Sequence, residues 1–345
     1  MKYQKVGSIY KLKILVWLIF ISNRLFRNST KLFIGVDHLG WMQILIFIAK
    51  IHSLIIYLIQ DGFISELEQN IKQQYVTDPF NFFNKSKKVF LQIFSYLRII
   101  HLAPNGLSLY GISGTDYIFT IGRESYEVFL KRDIPPKKLF ITGMPKYDQL
   151  ISQNMNLTVK KKNCILYASI LKSTLDNLHG ESNKKFDQSD ITIIKILNNI
   201  AYNNPSYDVI IKPHPRESVR DYKVLLNSIF VSSKIFLIIT AEPQINNLLP
   251  KTKILISEFS TSIFEAMLFQ IPVCVIAKEL NIYPWVKDLV YVNDLNDLSN
   301  IVENLLRNPD FYQRSLDRQN QKKEYLIANF DKSASKKIVN IIETY

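Results

Sequence analysis

Short apolar runs of strand length alternate with helix-length segments along most of this chain, the pattern of parallel strands joined by crossover helices. In the first half, the runs Leu32–Val36, Leu54–Ile59, Tyr117–Ile121 and Leu139–Thr142 predict strands. A helix is predicted over 41–50 and another over about 86–102, where Val89, Phe90, Ile93, Phe94, Leu97 and Ile100 recur at helical spacing. The polar, basic stretch Ser152–Asn163 then breaks the alternation and reads as a linker. A second series follows, with strands predicted at Cys164–Ala168, Val209–Lys212, Ile235–Ile239, Ile254–Ser257, Val273–Ile276 and Val290–Val292. Helices are predicted over 189–203, 217–229, 262–269, 295–307 and 310–328, with a terminal helix over about Ser333–Thr344.

This pattern predicts an α/β protein of two doubly wound, Rossmann-like domains. Residues 1–151 form the first, 152–163 the linker and 164–329 the second, while 330–345 form a terminal helix expected to pack back on the first domain. A ligand is then expected in the cleft between the domains, at the carboxyl ends of the strands.

Length agrees with two domains, since 345 residues exceed what one core usually serves. With 47% hydrophobic and 21% charged residues, the chain can bury real cores and is not intrinsically disordered. Its 43 basic and 30 acidic side chains leave a formal charge of +13, which points to acidic ligands, anionic lipid or nucleic acid without choosing among them. Only 10 glycines occur and none follows Gly180, so neither a G-x-G-x-x-G nor a G-x-x-x-x-G-K-[ST] loop can be drawn. That argues against nicotinamide-type oxidoreductases and P-loop nucleotidases. The two cysteines, Cys164 and Cys274, stand alone in apolar runs, which excludes a disulfide scaffold or structural zinc and fits a reducing compartment.

Residues 1–36 carry Lys2, Lys5, Lys11, Lys13, Arg24, Arg27 and Lys31 and no acid. Within them Ile14–Ile21 is an apolar block too short to cross a bilayer, and no small-residue cleavage site follows it. It is either a buried core segment or a basic, apolar segment lying in the lipid headgroup layer. The stretch Trp41–Ile59 is long enough to span, but Gln43, Lys50, His52 and Ser53 interrupt it, and it reads as a helix followed by a strand.

Three stretches carry candidate chemistry. In Ile210-Ile211-Lys212-Pro213-His214-Pro215-Arg216 a strand ends and two prolines restrict the turn around His214, a rigid mount for a donor to phosphate. A turn histidine beside an incidental lysine is the plainer alternative. In Ile256 to Ala266 a strand gives way to a hydroxyl-rich turn and an apolar helix. The free amides of that helix start, with Ser260, Thr261 and Ser262, would bind an anion. Ser262-x-x-Glu265 also fits a capping box, which needs no ligand, and a direct ligand role for Glu265 remains open. Finally, Gln60-Asp61-Gly62-Phe63 closes a strand with a carboxylate suited to a general base, although turn chemistry alone also selects Asp-Gly. Asp37 and His38 are rival bases.

Lys212-Pro213-His214-Pro215, followed about 45 residues later by Ser260-Thr261-Ser262-x-x-Glu265-Ala266, resembles the donor half of bacterial surface-polysaccharide glycosyltransferases of GT-B architecture. The similarity is to capsule Kdo transferases, bacterial sialyl- and polysialyltransferases and CDP-glycerol glycerophosphotransferases. In them a histidine-proline motif and a serine motif hold the phosphate of a CMP- or CDP-linked donor. The stretch Asp116 to Gly122 through Phe140-Ile141-Thr142-Gly143-Met144-Pro145-Lys146-Tyr147-Asp148 is similar to the end of their acceptor domain. Gln60-Asp61-Gly62 resembles their acidic motif, whose second acid is the proposed base. Two departures stand out: Gln60 replaces the first acid, and Gln270 replaces the usual glycine before Ile271-Pro272.

The resemblance implies a cytoplasmic, metal-independent, inverting glycosyltransferase that needs no cofactor beyond its nucleotide-sugar co-substrate. Lys212, His214, Ser260, Thr261, Ser262 and Glu265 would bind the donor, with His214 assisting the leaving phosphate and Asp61 taking the acceptor proton. The expected partners are a nucleotide-sugar donor, a glycan or lipid-linked acceptor and the anionic inner face of the plasma membrane, without nucleic acid. The rivals are a CDP-glycerol-type glycerophosphotransferase, whose base is usually a histidine in a His-Gly pair, a sugar-nucleotide 2-epimerase, and a non-catalytic, membrane-associated assembly subunit.

Overall fold

The structure is a computed structural model, and it describes residues 24, 26–35, 40–62, 64, 111, 114–155, 163–169, 188–215, 217–230, 234–242, 244–258, 260–277, 284–328 and 333–345. The expected helix over 86–102 and the block Ile14–Ile21 lie outside the described residues. The chain divides into two compact units, Met1–Met144 with Ser333–Tyr345, and Pro145–Lys332.

In the first unit the parallel strands β1 (Lys31–Ile34), β2 (Ile55–Ile59), β3 (Tyr117–Thr120) and β4 (Leu139–Ile141) lie side by side in that order. Helix α1 (Gly40–Ile51) lies between β1 and β2 in the chain, so the apolar stretch Trp41–Ile59 resolves into a helix and a strand. No helix among the described residues is long and apolar enough to cross a membrane. Helix α2 (Arg123–Leu130) follows β3, and its Val128 and Phe129 join Ile34, Ile46, Leu58 and Ile118 in one buried cluster. A second cluster sets Tyr57 and Phe119, stacked at 5.7 Å, against Ile338 of the terminal helix Ala334–Thr344.

The second unit begins with α3 (Pro145–Met155), so Ser152–Met155, expected in the linker, form its last turn. Pro145 at the first helical position favours that start, because its missing N–H would have no helical partner there. Six parallel strands follow: β5 (Cys164–Ala168), β6 (Asp208–Lys212), β7 (Leu237–Ile239), β8 (Thr252–Ser257), β9 (Val273–Ile276) and β10 (Val290–Val292). Their spatial order is β7-β6-β5-β8-β9-β10, the order of a dinucleotide-type doubly wound sheet. Every residue of β5 is buried, which explains why this strand reads as an unbroken apolar run. Cys164 and Cys274 are core residues whose thiols burial pushes up to about 12.

The remaining helices are α4 (Gln188–Asn203), α5 (Val219–Ile229), α6 (Ile245–Leu248), α7 (Ser262–Leu268), α8 (Leu298–Arg307) and α9 (Pro309–Leu326). Three expected boundaries move for identifiable reasons. Strand β7 starts at Leu237 because Ile235 and Phe236 are exposed and the Phe236 N–H donates to Asn198 Oδ1 at 2.8 Å. Helix α5 starts at Val219 because Ser218 is its N-cap, accepting from the Arg220 N–H. Before α8, Asp294 caps a separate 3-10 turn over Leu295–Asp297.

Gln270 keeps the left-handed conformation that the absent glycine would favour, with φ of +53°. The Ile271 N–H donates to Ala266 O and the Gln270 N–H to Met267 O, which closes the end of α7 as a Schellman motif. The backbone geometry is retained at a cost of about 1 kcal/mol relative to glycine.

Candidate functional site

The register of the second sheet brings three strand ends together. Ala168, the last residue of β5, pairs with Lys212 at the end of β6 and with Ser257 at the end of β8. Since β5 lies between β6 and β8, this is where the strand order reverses, the place at which open α/β sheets bind ligands. A cavity of about 380 Å³ opens there.

Lys212, His214, Ser260, Thr261, Ser262 and Glu265, the six donor-side residues named from the sequence, all line this cavity. Lys212 Nζ donates to the Ala241 carbonyl, which leaves the ammonium two further protons. The His214 turn is closed on both sides by Glu217: the His214 N–H donates to Glu217 Oε2 at 3.1 Å, and the Glu217 N–H donates to His214 O at 2.8 Å. Glu217 is thus held in the turn rather than starting a helix.

The serine turn departs from expectation. The Ser262 N–H donates to Ser260 Oγ, the Ile263 N–H to Ser260 O, and the Phe264 and Glu265 N–H groups to Thr261 O. The amides expected to meet an anion are therefore occupied within the turn, and the hydroxyl groups remain as its donors. The capping box is also absent. Thr261 is the N-cap without a side-chain bond, and Ser262 Oγ lies 3.4 Å from Ser257 Oγ.

Glu265 is only 7% exposed, and its Oε1 lies 3.6 Å from Lys146 Nζ of α3. Burial raises its pKa, and Lys146 opposes the shift. A carboxyl whose folded pKa lies above its unfolded value supplies stability that is complete below about 4.5 and is lost as pH rises through the folded value. Glu265→Gln does not titrate, so its stability relative to the native protein should increase between pH 4.5 and neutrality. Urea unfolding of both proteins across that range checks this, and a relative stability that falls with pH would reverse the sign.

Sequence reasoning missed Ser169, Gln244, Ile245 and Asn246, which also line the cavity. Ser169 had a readable signal, since it follows a predicted strand at the centre of a doubly wound sheet. The short helix α6, which carries Ile245 and Asn246, has no periodicity long enough to register.

In the first unit Asp61 is exposed just beyond the end of β2, and Gly62 follows with φ of +104°, a conformation that favours glycine. Gln60 beside it is 2% exposed and uses its whole amide. Nε2 donates to Gly62 O at 2.8 Å and to Ser125 Oγ at 2.9 Å, while Oε1 accepts from the Ile121 N–H at 2.9 Å. Both a donor and an acceptor are required here. A carboxylate would face the Gly62 carbonyl with no proton, which accounts for glutamine where the resemblance expects an acid. Gln60→Glu is predicted to destabilise the fold by about 1–3 kcal/mol at neutral pH, measured by denaturant unfolding. An unchanged midpoint would contradict the assignment. Asp37 and His38 lie outside the described residues. Among the described residues no group of three or more His, Cys, Asp or Glu side chains is placed to hold a metal ion.

The family model described as CDP-Glycerol:Poly(glycerophosphate) glycerophosphotransferase matches residues 109–344, more than half of the chain. No curated protein matches. Among solved structures, a UDP-N-acetylglucosamine 2-epimerase superposes with a TM-score of 0.61 at 15% identity, covering 99% of this chain and 79% of its own. The UDP-GlcNAc 2-epimerase of Neisseria meningitidis, bound to UDP-GlcNAc, gives 0.59 at 16% identity, covering 100% and 84%. The wall teichoic acid polymerase TagF gives 0.51 at 16% identity, covering 85% and 68%. At these identities the likeness is one of fold, and that fold is GT-B.

Proposed function

Because the chain belongs to the CDP-glycerol:poly(glycerophosphate) glycerophosphotransferase family, we propose that it is a transferase whose donor is a cytidine-diphosphate-linked group, with glycerophosphate as the group moved. The observation that carries this reading is the convergence of Lys212, His214 and the hydroxyls of Ser260, Thr261 and Ser262 on one cavity at the switch point of the second sheet. Two cationic or proton-bearing side chains and three hydroxyls suit a diphosphate. Glu265, an acceptor when ionised, suits a hydroxyl of the donor instead.

In the reaction an acceptor hydroxyl attacks the phosphorus that bears glycerol, and the bond from that phosphorus to the bridging oxygen of CMP breaks. The hydroxyl proton passes to Asp61. The charge growing on departing CMP is met by Lys212 and His214, fixed donors that need no reorganisation as the bond breaks. The products are a new phosphodiester and CMP.

One observation favours a second reading, inverting transfer of a sugar from a CMP- or CDP-linked donor. The pair Asp61-Gly62 stands where glycerophosphotransferases usually carry His-Gly, and it precedes the stretch 109–344 that the family model matches. A 2-epimerase has less support. The cavity presents one carboxylate among its described lining, Glu265, and that one is paired with Lys146.

The test is to follow the release of CMP from CDP-glycerol and CMP-sugars, and of CDP from CDP-sugars, with a hydroxyl acceptor. Acceptor-dependent release from CDP-glycerol supports the first reading, release from the sugar donors alone supports the second, and release from none contradicts both. The one-signed charge of residues 1–36 supports placement on an anionic membrane surface, at about 1 kcal/mol per basic side chain near the lipid. The protein is therefore predicted to sediment with anionic vesicles at low salt and to be released as salt rises. No sedimentation at low salt would contradict that placement.

A further inference from the structure

Ser169 lines the cavity and is 4% exposed. Its Oγ lies against the phenol oxygen of Tyr222, a fully buried residue of α5. The Tyr222 O–H donates to Glu217 Oε2 at 2.8 Å. Ser169 also interacts with the phenol of Tyr167, and the Tyr167 O–H donates to Glu258 Oε1 at 3.5 Å. Burial, with the nearby carboxylates, raises the pKa of both phenols, so both keep their protons. Each phenol has one proton: that of Tyr222 is committed to Glu217, and that of Tyr167 is directed at Glu258 over a longer distance. The Ser169 hydroxyl proton must then go to a phenol oxygen, because neither phenol has a second proton to donate. What Ser169 can offer the cavity is lone pairs. Asn246 lines the same cavity, but its Oδ1 is shielded from the cavity surface and has no hydrogen-bond partner among the described residues.

We propose that Ser169 is a specificity-determining residue whose oxygen is held as a hydrogen-bond acceptor, selecting a hydroxyl or amino group of the donor rather than its phosphate. The cavity is thereby divided by polarity. Lys212, His214 and the 260–262 hydroxyls take the anion, and Ser169 takes a hydrogen-bond donor on the same ligand. Glu217 serves both halves: it accepts from the His214 backbone and, through Tyr222, fixes the direction of the Ser169 proton. This inference rests on the reading of the cavity as a donor-nucleotide site.

Two measurements test it. Calorimetric titration with CDP and chemical-shift titration with sulfate, which carries acceptors only, compare the native protein with Ser169→Ala. The expected result is CDP affinity lowered about fivefold, the worth of one hydrogen bond, with sulfate affinity unchanged or raised. Equal losses for both probes, or none for CDP, would overturn the assignment. A neutron structure of the unliganded protein reads the proton directly. A deuteron on Ser169 Oγ directed at Tyr222 or Tyr167 supports the held polarity, and one directed into the cavity overturns it. Failure of the native protein to bind either CDP or sulfate would remove the donor reading and the ligand assignment together, while the neutron result would still decide the polarity.

Discussion

Replacing His214 with alanine is expected to lower turnover by about 100-fold or more while the protein remains folded. The size follows from removing a fixed donor to a leaving phosphate inside a cavity, where such donors typically contribute on the order of 100-fold or more. Survival of the fold follows from how the turn is held. His214 is bonded to Glu217 through its own backbone N–H and C=O, both of which alanine keeps. Pro213 and Pro215 restrict the same backbone whatever side chain stands between them. Steady-state rates together with a thermal melt measure the two halves of the prediction. Full activity in a protein that melts normally would remove His214 from the chemistry.

Asp61→Asn is expected to abolish most turnover while CDP binding stays as it was. Asparagine keeps the size of the side chain and its acceptor oxygen but cannot accept a proton at neutral pH, so the loss falls on the chemical step. Retention of binding is expected because every residue found to line the cavity, from Ala168 to Glu265, belongs to the second unit, whereas Asp61 belongs to the first. Asp61 is also exposed, so the exchange opens no cavity in the core. Calorimetry with CDP alongside turnover separates the outcomes. A parallel loss of affinity would place Asp61 on the donor instead of at the acceptor hydroxyl.

The strands were legible because parallel strands buried on both faces must be apolar along their whole length, as β5 and β9 are. The candidate donor residues were legible for a related reason. Lys212 and Ser260–Ser262 are polar groups placed just where an apolar run stops, and the ends of parallel strands are where this architecture places its ligands. What escaped was short or came from elsewhere in the chain. Helix α2 spans only Arg123–Leu130, with Ser125, Val128 and Phe129 as its buried residues, too brief a pattern to separate from a loop. Lys146 reaches Glu265 from α3, far away in sequence, and nothing local to Glu265 announces that partner. Tyr222 reads from sequence as one more apolar position on the inner face of α5, and only its bond to Glu217 shows the polar use of its hydroxyl. Expectation and structure also disagreed at the start of α7. The sequence shows which amides begin a helix but not that Ser260 and Thr261 already accept from them.

The cavity of the second unit is expected to hold the diphosphate of a cytidine-linked donor. The most direct measurement is a crystal structure of the protein with CDP. Phosphate oxygens are expected within hydrogen-bond distance of Lys212 Nζ, the His214 ring and at least one hydroxyl of Ser260, Thr261 or Ser262. CDP bound away from these side chains, or no nucleotide bound at millimolar concentration, would contradict it.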